Sequence, residues 1–164
     1  MTAAFTTEDV IRFLQSYKVA AQKLFRSPVH LSFDRTRKEI VFEIPTVGGS
    51  ISKKVALYQL AYRTLQIEEA LPYLYTIKVV DEWIEKLLTS MEAEALFWRY
   101  INHDFEFLLD ERRPRPIVFK TLSYEEIQQK MNLNSRVLVY RLIKKGLTKI
   151  VRHLNEEARK CGSN

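Results

Sequence analysis

Apolar side chains recur every three to four residues along most of this chain, and in two short stretches they alternate with polar ones. Val10, Phe13, Leu14, Tyr17, Ala21 and Leu24 share one face of a helix predicted from Thr7 to Phe25. Thr6, with Asp9 three residues on, has the form of a cap, and Ser27-Pro28 ends the helix. Over Val29–Phe33 and Glu39–Ile44 the period drops to two, with Val41 interrupting the polar side. A hairpin turning through Asp34–Lys38 is expected there. Pro45 and Gly48-Gly49-Ser50 then break the pattern.

A long helical region is expected to open at Ser52, carried first by Val55, Leu57, Tyr58, Leu60, Ala61 and Leu65. Pro72 either kinks it or begins a new helix at its first turn. A further helix holds Leu74, Ile77, Val80, Trp83, Ile84, Leu87 and Leu88. Thr89-Ser-Met-Glu92 has capping-box form and should start the next one, with Leu96, Phe97, Trp98, Tyr100 and Ile101. Residues 105–120 place two apolar arms around the basic, proline-containing Asp110–Pro116, the pattern of a hairpin or an extended arm. The fold class that results is mainly α with a small β component.

From Ser123 the pattern becomes specific. Ser123-Tyr-Glu-Glu126 has the form of a capping box, and Ile127 and Met131 fall on one face of the short helix that follows. Asn132-Leu133-Asn134 supplies a tight turn, and Asn134 or Ser135 is placed to cap what comes next. A second helix is expected from Ser135 or Arg136 to about Ala158. Its apolar face consists of Leu138 or Val139, then Leu142, Ile143, Leu147, Ile150 and Leu154, while Arg136, Tyr140, Arg141, Lys144 and Lys145 populate the other. This is the order of a helix-turn-helix, in which the first helix braces on the backbone and the second enters the major groove. Asn134, Ser135, Arg136 and Tyr140 are therefore candidates for base edges, and Arg141, Lys144, Lys145 and Lys149 for phosphates.

Charge supports the same end of the molecule. The chain carries a net +6, but residues 112–160 hold 13 Lys+Arg against 4 Asp+Glu, and the remainder 13 against 16. The basicity is confined to the segment with the helix-turn-helix pattern, as expected when one region faces a polyanion.

The stretch LSYEEIQQKMNLNSRVLVYRLIKKGLTKI resembles the region 4 helix-turn-helix of bacterial sigma-70-type factors. It resembles more closely the phage late-gene transcription regulators of the RinA and ArpU type. Leu122–Ile127 matches their "LSYEEIA" first helix; Val139-Tyr140-Arg141, Lys144-Lys145, Leu147 and Ile150 match their recognition helix. Leu96-Phe-Trp-Arg-Tyr100 is similar to the "E-L-R-Y" helix that precedes the motif in those families. Asn102–Thr121 stands as an insertion between these parts. The resemblance implies a sequence-specific DNA-binding regulator, an activator of phage or prophage late genes (packaging, morphogenesis, lysis). Double-stranded DNA is the implied partner, with RNA polymerase a further one, and a homodimer on paired half-sites follows from how few base pairs one motif reads. Other readings of the same features are a DNA-recognition subunit such as a small terminase component, and a module that binds polymerase or a sigma factor without reading DNA.

The division expected is an N-terminal α+β region over 1–89, for oligomerisation or polymerase contact, and a DNA-binding domain over 90–164 with its inserted hairpin or arm at about 105–120. His103-Asp104 with Glu106, Asp110 and Glu111 lacks the further His and Asp ligands that a metal-dependent hydrolase needs. Gly48-Gly49 lacks the flanking residues of a phosphate-binding loop, and Trp83 and Trp98 sit at core spacing. No catalysis, cofactor or metal is expected. One cysteine, Cys161, excludes an internal disulfide, and no leader-like start or apolar run long enough for a bilayer is visible. A protein of the bacterial cytoplasm, away from membranes, is expected.

Overall fold

In a computed structural model, described for residues 4–25, 28–43, 50–51, 67–106, 109–110, 113–114 and 118–162, the chain is mainly α with a small β component. Helix α1 spans Thr7–Phe25 and is opened by a reciprocal cap. The Thr6 amide donates to the Asp9 carboxylate at 2.8 Å and the Asp9 amide to the Thr6 hydroxyl at 3.3 Å. Its apolar stripe (Val10, Leu14, Tyr17, Ala20, Ala21, Leu24) is buried.

Strands β1 (His30–Asp34) and β2 (Glu39–Glu43) form the expected hairpin, each strand bounded one residue from its expected edge. Asp34 fixes its turn by accepting from the amides of Thr36 and Arg37 at 3.0 and 3.1 Å, and Lys38 closes it at φ 53°. A third strand, β3 (Ser50–Ile51), pairs antiparallel with β2. Phe42 meets the rings of Tyr17 and Phe25 edge-on, which lays the sheet against α1.

Helix α2 (Ile67–Lys86) runs through Pro72 rather than starting at it. There the proline removes the bond to the Glu68 carbonyl and crowds it, yet the helix continues to Lys86. α2 packs along α1. There the buried Tyr17 hydroxyl donates to Asp81 at 2.9 Å, and Phe13 tilts against Trp83. Burial, and then the charge of Asp81, push the Tyr17 hydroxyl well above its ordinary pKa. The Lys38 ammonium donates to the carbonyls of Glu85 and Leu88, both at 3.0 Å, and so satisfies the C-terminal end of α2.

Helix α3 (Ser90–Leu96) opens with the capping box read from the sequence. Thr89 and Glu92 exchange backbone-to-side-chain bonds of 2.9 and 3.2 Å. It continues as a single π turn over Phe97–Ile101. Strands β4 (Asp104–Glu106) and β7 (Val118–Lys120), with β5 (Leu109–Asp110) and β6 (Arg113–Pro114) beyond them, form antiparallel pairs. The described parts of 105–120 therefore pair antiparallel, as the hairpin alternative expects. Helices α4 (Tyr124–Met131) and α5 (Arg136–Gly162) complete the chain, α5 running four residues past its expected end. The helix expected from Ser52 to Leu65, the Gly48-Gly49 connector and the side chains of the 105–119 arm lie outside what is described.

The long helix α5 joins the rest through its buried face, Val139, Ile143, Gly146, Leu147 and Ile150, which lies in one apolar cluster with side chains of α1, β2, α2 and α3. Asn155 exchanges hydrogen bonds with the backbone of Phe5, tying the start of the chain to α5. Gly146 sits where α5 comes closest to its neighbours. A Cβ there would stand 2.9 Å from Leu96 Cδ1 and 3.6 Å from Leu88 Cδ2. A mid-helix glycine costs about 1 kcal/mol relative to alanine, so its presence is explained by this close approach. Gly146→Val should lower stability by about 2 kcal/mol through overpacking, measured as the shift in urea midpoint. An unchanged midpoint would refute the tight crossing.

Candidate nucleic-acid interface

The site is built from the bottom of α4 upward. Ser123 caps α4 by accepting from the Glu126 amide at 3.2 Å. The return half of the expected box takes another form: the Glu126 carboxylate accepts from the Ser123 hydroxyl at 3.1 Å. Ile127 and Met131 are buried, as their spacing required.

The turn has a defined chemistry. Asn132 ends α4 in the left-handed conformation, φ 57° and ψ 46°, which asparagine tolerates better than most residues. The Leu133 amide then donates to the Gln128 carbonyl at 3.0 Å and the Asn132 amide to the Gln129 carbonyl at 3.2 Å. These two bonds are the Schellman pair that closes a helix C-terminus. The Gln128 side-chain amide bonds back to the Leu133 carbonyl, and Leu133 packs against the core. Ser135, not Asn134, does the capping on the far side, accepting from the Val137 amide at 3.1 Å.

Further contacts position the two helices. Tyr124 of α4 meets Tyr140 of α5 edge-on at 5.9 Å. The Arg99 guanidinium lies 4.6 Å over the Tyr124 ring and donates to the Leu122 carbonyl just before α4. From the hairpin turn, Arg35 bonds Glu94 of α3 at 2.5 Å and reaches the Lys130 carbonyl at the end of α4.

On α5 the choice between Leu138 and Val139 resolves to Val139, which is fully buried while Leu138 is exposed. With 3.6 residues per turn, Arg141, Lys145 and Arg152 then stand opposite Val139, Ile143 and Ile150. Arg141, Lys144, Lys145, Lys149 and Arg152 line one open concavity of about 640 Å³ together with Leu138, Leu142 and Thr148. Four of the candidate phosphate residues are thus brought together. Asn134, Arg136 and Tyr140 are exposed at the start of α5, and Ser135 is half-buried in its capping role. Arg152 was missed by sequence reasoning. Its signal is the spacing i, i+4, i+7, i+11 through Arg141, Lys145, Thr148 and Arg152.

Lys149 stands apart from the other cations, because its ammonium lies 2.7 Å from the buried Glu92 carboxylate. Burial pushes the Glu92 pKa up, but the bonds from Lys149 and Thr89 outweigh it and hold the carboxyl below its ordinary value. The same glutamate therefore caps α3 and anchors α5 through the base of the cationic groove. Among the described residues, no group of three His, Cys, Asp or Glu is placed to hold a metal ion, and no helix is long and apolar enough to cross a membrane. Comparison with known protein families, characterised proteins and solved structures finds no match, so the functional reading rests on the residues themselves.

Proposed function

We propose that this chain is a sequence-specific DNA-binding transcriptional regulator. One observation carries the reading: a row of exposed cations on α5 lies opposite its buried face, directly after a capped short helix and a tight turn. A cationic row of this kind, about 16 Å from Arg141 to Arg152 at 1.5 Å per residue, suits the phosphates beside a groove. The start of α5, with Asn134, Arg136 and Tyr140, supplies groups that hydrogen-bond base edges. The resemblance to RinA- and ArpU-type regulators narrows the role to activating phage or prophage late genes in the cytoplasm of a bacterial host. The region before residue 90 then serves dimerisation on paired half-sites, or contact with RNA polymerase.

The two kinds of contact separate in a binding assay on duplexes selected from a random pool. Arg136→Ala should cost about 1–3 kcal/mol on the selected site and relax preference at one position. Lys144→Ala should weaken selected and random duplexes alike and reduce the salt slope by about 1. Failure to bind any duplex at low salt would overturn the proposal. It would turn attention to polymerase or a sigma factor as the acidic surface that α5 meets.

A further inference from the structure

The first turn of α5 exposes apolar side chains that the fold itself does not use. Val137 is 54% exposed and Leu138 37%. Val137 lies across the helix from the buried Val139, and Leu138 is one of the residues that line the cationic groove. Their backbone is nevertheless fixed, since Ser135 caps the turn through the Val137 amide. Exposed Arg136, Arg141, Lys144 and Lys145 surround the pair within two helical turns.

That mixture restricts what can cover it. An apolar protein groove closing over Val137 and Leu138 would also strip water from the adjacent cations, and an unpaired buried charge is costly. A DNA major groove meets both demands. Phosphates line its two edges, and its floor carries one apolar feature, the C5-methyl group of thymine. Valine and leucine have no hydrogen-bonding group, so the methyl is the only base feature they distinguish.

Resting on the DNA-binding reading above, we infer that Val137 and Leu138 are specificity residues that select thymine through its methyl group. They would act beside Arg136, which reads hydrogen-bonding edges, and would make the preferred site contain thymine at fixed steps from the Arg136 position.

The test replaces thymine by deoxyuridine, which removes only the methyl. Duplexes are first selected from a random pool with the full-length protein. Each thymine of the selected site is then replaced singly, and binding is followed by fluorescence anisotropy. Loss of one buried methyl corresponds to about a fourfold weakening. One or two positions should show it, and Val137→Ser with Leu138→Ser should abolish the difference while leaving the salt slope unchanged. Equal binding of thymine and deoxyuridine sites by the unaltered protein overturns the inference but not DNA binding. So does a methyl effect that persists in the double variant, or a double variant whose only change is dissociation of a dimer. Absence of binding to every duplex overturns the inference and the DNA-binding reading together.

Discussion

Replacing Arg141 and Lys145 together by glutamate should lower affinity for duplex DNA about 100-fold or more at low salt, with no comparable loss of stability. Both side chains are exposed and line the groove on the side of α5 away from the core. Each phosphate contact contributes about 0.9 to the slope of log affinity against log salt, so losing two should reduce it by about 2. Reversal adds repulsion to the loss of attraction. Surface substitutions that break no packing change stability by about 0.5 kcal/mol or less, so the melting temperature serves as the control. A second control tests location rather than net charge. Arg12→Glu with Lys78→Glu makes the same change in total charge at exposed positions on α1 and α2. That variant should keep most of the affinity. Equal weakening by both pairs would mean that the groove is not the contact surface.

Such a result would also explain why contacts from three other elements converge on α4 and α5. A helix that reads base edges has to enter the groove at one angle, and here three separate elements fix that angle. Arg99 and Tyr124 hold the start of α4 against Tyr140. Arg35 bonds α3 and the last turn of α4 from the hairpin. Glu92 holds α5 from below through Lys149. The N-terminal helices and the small sheet are therefore a mount for α5 as well as whatever else they do. Their buried side chains and those of α5 share one cluster, although the sequence suggested two regions dividing near residue 89.

What was legible in the sequence was local. The caps at Thr6, Thr89 and Ser123, the tight turn over Asn132–Asn134 and the apolar stripes of α1 and α5 depend on residues close together in the chain. Spacing alone did not choose between Leu138 and Val139, because both are apolar and adjacent; the fold buries Val139 and leaves Leu138 exposed. The π turn at Phe97–Ile101 is not distinguished from an ordinary helical turn by the apolar spacing there. Lys149 shows the limit most plainly. On the helix it reads as one more exposed cation, and nothing nearby in the chain points to a partner 57 residues earlier.

That partnership gives the largest effect expected on stability. Lys149→Met should destabilise the protein by about 3 kcal/mol at neutral pH, because it leaves a buried carboxylate without its counter-charge. The Glu92 side chain is only 4% exposed, and after the substitution only the Thr89 cap still bonds to it. For a chain of this size the melting temperature should fall by roughly 6–12 °C. The pH dependence separates this cause from lost packing. In the unaltered protein the folded state holds the Glu92 carboxyl below its ordinary value of 4.5, so its contribution is complete above that pH and is lost as pH falls through the depressed value. Without Lys149 its two lowering contributions are gone while burial remains, so the carboxyl titrates higher in the folded variant than in the unaltered protein. The penalty is then fullest at neutral pH and shrinks as protonation neutralises Glu92. The gap between the two melting curves should therefore narrow as pH falls from 7 through the ordinary glutamate range and below it. A gap that stays constant over that interval would assign the loss to the packing of the lysine stem. Glu92 would then be a cap for α3 alone, and α5 would owe its position to Gly146 and the apolar face around it.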